Sequence, residues 1–491
     1  MSISLRKIGG NALSILTSDV MNRATSFVVY ALVARRLGTF EFGQLSLALS
    51  LFYTFQVFAV AGGKTLIVRQ VAKDSSQTRM YFVNGCMIVS LASFVSLGAL
   101  FTFLRLAHYA SSTNLIILLL SLGLFPYAIS AVCEGIFQAW ERMHYISYVN
   151  VPLNLAKMAG AYLLLSWNWG LYTVILVLVT SFFAVAGIEI WLVLRRFPAQ
   201  RARIDIPFLV AMIRAGSIFM GIDGALAIEN SLNVIFLSKL ATEREVGLYS
   251  AATQLMVPLV LVYQSIAQSI FPVMCRRVEP GLQALRRIAE QASEGLLMLA
   301  LPTVVGIVFL GQWGLSILYK NPAFLQASPA LRIVAWVLIL QVFTYVLGQV
   351  LVATHREKIT LRIVLVELLL NLVAGSFLIG RFGLRGAALT LLLTRMAGCI
   401  QHYILVFRQL SGISLAKIAW KPLLAASCMA TYLLLAPTQP GILAGISATL
   451  IYIAALFALA IMACGGFREF RARFFSLWSG APSGTREEVG S

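Results

Sequence analysis

The chain has 491 residues, 59% of them hydrophobic and 12% charged, with a formal net charge of +19 and a mean hydropathy of +0.87. Soluble domains carry about 25% charged residues, so the composition excludes a water-soluble domain over any long stretch. Excess base suits either a nucleic-acid binder or a membrane protein with basic loops, and the positions of the charges separate the two.

Crossing the hydrocarbon core takes about 20 apolar residues. Runs of that kind are predicted at 14–33, 43–62, 81–104, 115–137, 148–166, 171–194, 215–238, 249–272, 295–318, 331–353, 359–380, 386–407, 420–436 and 441–464. Backbone groups in lipid must be satisfied within their own segment, so each run is a helix. The thirteenth is short and opens near Pro422; without it the C-terminus would change sides. The connections are short and leave no room for an extramembrane catalytic domain. The expected class is an all-α integral membrane protein with about fourteen transmembrane helices, and not an enzyme. The first run follows Arg6 and Lys7, contains Asp19, Asn22 and Arg23, and lacks a small-residue cleavage site. It is expected to stay as a signal anchor.

Charge inside a bilayer is costly and marks a partner or a cavity. Asp19 and Arg23 are four apart on the first span and share a face. They read either as a neutralised ion pair or as a cation presented to a cavity and held by the acid. Span four places Tyr127, Ser130, Glu134 and Gln138 on one face, a polar entrance or a helix–helix seam. Span five carries Asn150, Asn154 and Lys157 as one stripe bent by Pro152; a lysine there needs a partner on another helix or an anionic ligand. Span seven groups Asp223, Asn230 and Asn233 within about 80°, with Glu229 off that face. Span ten shows a polar stripe that includes Gln341 and Tyr345. Span eleven has Arg362 and, on another face, Glu367 with Asn371. Span twelve has Thr390, Thr394 and Gln401 on one face and Arg395 with His402 on another. Asp19, Asp223 and Glu367 are the candidates for ion coupling. Asn150, Asn154, Asn230, Asn233, Gln341 and Tyr345 are the candidate polar lining, and Trp167 and Trp169 are aromatic candidates for sugar contact.

The loop charges alternate. Twenty-five Lys and Arg fall on one set of loops and ends, eight on the other, and five inside spans or at their edges. That bias is the positive-inside rule, and it puts both termini in the cytoplasm. It also accounts for the base without nucleic acid. The six Cys and four His are scattered and form no metal or catalytic spacing, so no cofactor and no metal is expected.

The chain repeats itself. Glu41-Phe42-Gly43-Gln44-Leu45-Ser46-Leu47-Ala48 aligns with Glu245-Val246-Gly247-Leu248-Tyr249-Ser250-Ala251-Ala252 at an offset of 204 residues, which also carries Asp19 onto Asp223. Spans one and seven then point the same way, so the halves are parallel repeats. A weaker pair is the turn Trp167-Asn168-Trp169-Gly170 with Arg381-Phe382-Gly383-Leu384-Arg385-Gly386. The expected division is 1–200 for spans one to six, 201–410 for spans seven to twelve, and 411–491 for the last two spans and a cytoplasmic tail.

Ala34-Arg35-Arg36-Leu37-Gly38 followed by Glu41-Phe42-Gly43 resembles the signature after the first span of Wzx-type polysaccharide flippases. Val246-Gly247-Leu248-Tyr249-Ser250-Ala251-Ala252, Pro272 and the Phe382–Ala388 turn resemble the same family. It belongs to the multidrug/oligosaccharidyl-lipid/polysaccharide (MOP) exporter superfamily. The resemblance implies two six-helix lobes around a central cavity, two extra C-terminal helices and alternating access. It implies movement of undecaprenyl-diphosphate-linked oligosaccharide to the periplasmic leaflet of a bacterial inner membrane, for lipopolysaccharide, capsule or exopolysaccharide. The implied partners are that polyprenyl-diphosphate-linked oligosaccharide, the lipid bilayer, and a polysaccharide polymerase with its export machinery. Cavity cations are the implied diphosphate contacts, with Arg23 as the match; Lys157 and Arg395 join it because of their depth in the spans. Two other readings stand beside this one. An ion-coupled antiporter for cationic drugs would use the acids, and a membrane enzyme on lipid-linked glycans would need a large periplasmic loop that the sequence lacks.

Overall fold

The computed structural model describes residues 5–197, 204–276, 282–354, 356–410, 412–435, 441–463 and 466–467. Arg201, Arg203, Arg277, Arg468, Arg471, Arg473 and Arg486, all counted in the charge bias, lie outside the described residues. Among those described, every regular element is helical. The helices are α1 (Leu5–Leu37), α2 (Thr39–Val60), α3 (Gly63–Lys73), α4 (Thr78–Ala107), α5 (Ser111–Ser121), α6 (Leu124–Ala139), α7 (His144–Ser166) and α8 (Gly170–Arg196). They continue as α9 (Ile206–Leu240), α10 (Glu243–Arg276), α11 (Leu282–Tyr319), α12 (Ser328–Ala335), α13 (Val337–Ala353), α14 (Glu357–Gln409), α15 (Leu415–Leu435) and α16 (Ile442–Ala463).

Among the described residues, ten segments are long and apolar enough to cross a membrane. One of them, Ile359–Gln409, breaks at Gly383 (φ 51°, ψ −125°) and carries two predicted spans. Three more helices are long enough, α1 with 33 residues, α7 with 23 and α9 with 35. These three hold the acids, amides and bases singled out in spans one, five and seven. So counted, the described residues hold the fourteen expected crossings. The thirteenth, shortest in the sequence, is the full 21-residue α15.

The second span extends past its expected end. Its apolar run stops at Ala61 and Gly62, both in the left-handed region (φ 51° and 67°). The helix then resumes as α3 to Lys73, so Lys64, one of the twenty-five basic residues counted to loops and ends, is a helical residue.

The chain divides into two compact units. One comprises Met1–Leu255, Leu315–Val334 and Lys358–Gly398, the other Met256–Gly314, Ala335–Glu357 and Cys399–Ser491. In the first, α1 packs along α7, α7 on α8, α3 and α4 on α6, and α2 on α9. In the second, α15 pairs with α16. Both are fastened to α11: Lys421 to Glu294 at 3.0 Å, and the Tyr452 hydroxyl to the Met298 carbonyl at 2.8 Å.

The two copies of the repeated motif meet within the first unit. A Cβ on Gly43 would overlap the Glu243 carbonyl oxygen, and a Cβ on Gly247 would overlap the Thr39 carbonyl oxygen. Gly43 and Gly247 are 204 residues apart, and so are Thr39 and Glu243. The contacts therefore exchange under the repeat, as a local two-fold axis through the crossing requires. Only glycine lets two helices approach this closely. The weaker pair of turns shares a positive-φ glycine, Gly170 (φ 78°) and Gly383 (φ 51°). At the second turn the Glu245 carboxylate accepts the Leu384 N–H at 3.0 Å and fills the space a Gly383 side chain would need.

The residues that carried the family resemblance thus have structural work. The Arg35 guanidinium donates to the carbonyls of Leu318 (2.5 Å) and Ile317 (3.0 Å), closing orphan acceptors at the C-terminus of α11. Phe42 packs edge-on against Phe324 at 5.8 Å, and Phe324 stacks on Tyr319 at 4.6 Å.

Candidate functional site

A cavity of about 520 Å³ lies inside the first unit. α6 lines it with Tyr127, Ser130, Glu134 and Gln138, and α7 with Asn150, Asn154 and Lys157. These are the two stripes that helical spacing predicts. α1 adds Ser18, Asp19 and Asn22, α3 adds Lys64, and α8 adds Ser181 and Phe182. The cavity runs from the α6–α7 turn, beside Gln138 and Ile146, inward to Lys157 and Phe182. Pro152 sits inside α7 within its polar stripe, where the missing N–H frees a carbonyl and favours a bend.

The charges in this cavity sort by partner. Lys64 Nζ lies 2.5 Å from Glu134 Oε2, and Glu134 Oε1 accepts from the Asn150 amide at 3.3 Å. Lys64 and Glu134 therefore neutralise each other, and the amide completes the carboxylate. Lys157 is half-buried and has neither ion pair nor hydrogen bond among the described residues. Its amine faces the cavity as a cation without an acid of its own. Asp19 lines the cavity as well. Arg23 is exposed on α1, is absent from the cavity wall, and forms no ion pair with Asp19. Glu189 on α8 is fully buried, and neither carboxylate oxygen meets hydrogen-bond geometry among the described residues.

Arg395 has different surroundings. Its Nη1 lies 3.1 Å from Glu229 Oε1 and 3.0 Å from Glu367 Oε2, and Nη2 donates to Asn230 Oδ1 at 3.3 Å. The two carboxylates are 2% and 5% exposed. One guanidinium thus serves two nearly dry acids. Gly398 makes this arrangement fit, because a Cβ there would overlap Glu367 Oε1. Asn233 is buried and donates to the Tyr249 hydroxyl at 3.4 Å. Asp223 is exposed on α9 and forms no ion pair among the described residues. Gln341 and Tyr345 lie on α13 in the second unit, half-buried, with Gln341 Oε1 unpartnered.

Of the expected site residues, then, Asp19, Asn150, Asn154 and Lys157 share one cavity. Glu367, Arg395 and Asn230 join in a separate cluster. Lys64, counted with the loop charges, and Glu229, off the polar face of its own helix, belong to these two sites as well. Trp167 and Trp169, the aromatic candidates for sugar contact, stand 61% and 59% exposed at the α7–α8 turn. The aromatics that face the cavity are Tyr127 and Phe182.

Comparison with known proteins follows this geometry. The model of the family described as polysaccharide biosynthesis protein matches residues 8–277, more than half of the chain. The probable low-salt glycan biosynthesis flippase Agl15 of Haloferax volcanii is 25% identical over 172 residues, which is 35% of this chain and 36% of that protein. The chain thus spans about a third of that curated relative's length. Among solved structures, the lipid II flippase MurJ in an inward closed conformation superposes with a TM-score of 0.75 at 14% identity, over 95% of this chain and 100% of that one. An inward-facing multidrug resistance MATE family transporter of the MOP superfamily gives 0.67 at 14% identity, over 81% and 98%. An outward-facing MATE family transporter gives 0.56 at 13% identity, over 82% and 95%. At such identities the likeness is one of fold. The chain is a multi-pass membrane protein with the fold of the MOP transporters, and it belongs to the polysaccharide biosynthesis protein family.

Proposed function

We propose that the chain translocates polyprenyl-diphosphate-linked oligosaccharide from the cytoplasmic to the periplasmic leaflet of a bacterial inner membrane by alternating access. It would serve surface or exopolysaccharide biosynthesis, delivering its product to a polymerase and export machinery. In this reading both termini are cytoplasmic, as the loop charges favour, and the repeats 1–200 and 201–410 move against each other.

The observation that carries the reading is Lys157, an amine with no ion pair or hydrogen bond among the described residues, in a cavity whose other polar lining is amides, hydroxyls, a neutralised ion pair and Asp19. A diphosphate would supply the missing anion, and amides such as Asn150 and Asn154 suit sugar hydroxyls. Lys157 takes the diphosphate role here, because Arg395 already serves two carboxylates and Arg23 stands off the cavity wall. The test is complementation of a strain lacking the gene. Lys157→Gln should yield folded, membrane-inserted protein and no surface polysaccharide, while normal polysaccharide would remove Lys157 from the site.

A cation antiporter is the second reading, favoured by one observation: Asp19 lines the same cavity with no ion pair among the described residues. It predicts that Asp19→Asn abolishes export of cationic drugs while Lys157→Gln leaves it intact.

A further inference from the structure

A slot of about 390 Å³ opens at the surface of the first unit. α4 lines it from Met87 to Ser96, α9 lines it from Leu209 to Met220, and α2 adds Phe58 and Ala61. Ser96 alone among its lining side chains is polar, and none of them lines the Lys157 cavity. Tight packing builds the slot. A Cβ on Gly216 would come within 2.7 Å of the Ala61 carbonyl oxygen, and one on Gly224 within 3.2 Å of the Phe58 ring, so α9 lies close on α2. Tyr81 meets Phe208 edge-on at 4.9 Å, and the Asp205 N–H donates to Asn84 Oδ1 at 3.1 Å, which joins α4 to the start of α9. Beyond those contacts Leu91, Val95 and Ile213 stand 59%, 66% and 50% exposed along the opening.

Length, capacity and polarity together define what fits. At 1.5 Å per residue the two walls run for about 13–17 Å, half of the roughly 30 Å hydrocarbon core and so the depth of one leaflet. In the orientation that the loop charges favour, that leaflet is the cytoplasmic one. A cavity of about 150 Å³ takes one benzene ring, so on the same scale this slot takes about fifteen carbons, the size of a single acyl chain. Its lining includes no cation that could hold a phosphate and no row of donors that could hold a sugar. A straight, unbranched hydrocarbon chain lying along the membrane normal meets all three conditions.

We propose that the slot between α4 and α9 is a binding site for one acyl chain of a phospholipid from the cytoplasmic leaflet. α4 comes from the first repeat and α9 from the second, so the bound chain fills the seam between the two. The site is separate from the Lys157 cavity and does not depend on what that cavity carries.

The test uses the full-length protein in phospholipid nanodiscs doped with a phospholipid that carries a diazirine on one acyl chain. After photolysis, mass spectrometry maps the adducts. Leu91 in the slot and Leu450 on α16 are 59% and 60% exposed, so a plain lipid-facing surface would label them alike. Wild type is expected to carry about tenfold more adduct at Leu91 than at Leu450, a preference of about 1.4 kcal/mol. Ala92→Phe fills the slot and should bring the ratio to parity. Ile213→Trp fills it from the opposite wall and decides the matter if Ala92→Phe disturbs folding. Parity in wild type would overturn the site, as would an excess at Leu91 that persists in folded Ile213→Trp protein. Loss of the excess on adding unlabelled polyprenyl phosphate, but not on adding the same amount of unlabelled phospholipid, would overturn the phospholipid assignment and give the slot to an isoprenoid tail.

Discussion

Arg395→Met tests the electrostatic account of the Glu229–Arg395–Glu367 cluster. The substitution keeps much of the side chain's length and removes its charge. Two carboxylates, 2% and 5% exposed, then face each other without the guanidinium that lay 3.1 and 3.0 Å away. Breaking a buried ion pair by deleting one partner costs about 3–5 kcal/mol, because the other charge stays buried and uncompensated. Asn230 also loses its guanidinium donor, adding roughly 1 kcal/mol. The expected loss is therefore about 4–6 kcal/mol, above the roughly 2.5–3.5 kcal/mol insertion cost of a charge at a bilayer centre. Reversible detergent unfolding of the purified protein measures it. Adding Glu367→Gln to Arg395→Met removes one of the stranded charges and should restore about 2 kcal/mol or more. The two substitutions would then be strongly coupled in a double-mutant cycle. Losses that simply add would refute the reasoning, since they would mean that the two groups do not hold each other.

Three further outcomes follow from the packing and the polar contacts. Gly247→Leu drives a side chain into the Thr39 carbonyl and should cost at least the 1–3 kcal/mol typical of overpacking; Gly98→Leu, in open space, should cost little, and thermal melts compare them. Glu134→Gln removes the acid 2.5 Å from the Lys64 amine, a pair 36% and 20% exposed, and should destabilise by about 1 kcal/mol, whereas the charge-neutral pair Lys64→Met with Glu134→Gln should recover much of that loss. Asp74, between α3 and α4, accepts from the Ser76 N–H, the Ser76 hydroxyl and the Gln77 amide. Those donors hold its carboxyl below the usual range. Its contribution to the turn is present above the unfolded pKa and is lost as pH falls through the lower folded value. Protection of the Ser76 amide, measured as exchange relative to its intrinsic rate at each pH, should therefore fall on acidification in wild type, and Asp74→Asn should flatten that dependence.

Much of the fold was legible because lipid leaves so few options. Apolar runs of sufficient length must be helices, and period 3.6 puts Tyr127, Ser130, Glu134 and Gln138 on one face before any coordinates are seen. The same spacing made the Asn150–Asn154–Lys157 stripe readable. The offset of 204 that aligned Gly43 with Gly247 anticipated a relationship, although nothing in a linear pattern says that the two glycines touch. Lys64 was missed because its apolar run ends at the Ala61–Gly62 break, and its partner Glu134 is 70 residues away. Glu229 was set aside because it lies off the polar face of its own helix. The groups that decide its role, Arg395 and Glu367, come from α14, and a helical wheel carries no information about a neighbouring helix. Phe182 of the cavity wall was invisible for a further reason. It looks like any ring in an apolar run, whereas Trp167 and Trp169 stand out in sequence and lie exposed at the turn, as aromatic residues of a membrane interface do.

The central claim is that the chain moves a lipid-linked glycan between leaflets. The most direct test removes the gene and measures, with a membrane-impermeant glycan probe on sealed vesicles of each orientation, which leaflet holds oligosaccharide linked to polyprenyl diphosphate. The account predicts accumulation on the cytoplasmic face, relieved by the wild-type gene and not by Lys157→Gln. An unchanged distribution between the leaflets, in cells that instead become sensitive to cationic drugs, would contradict it.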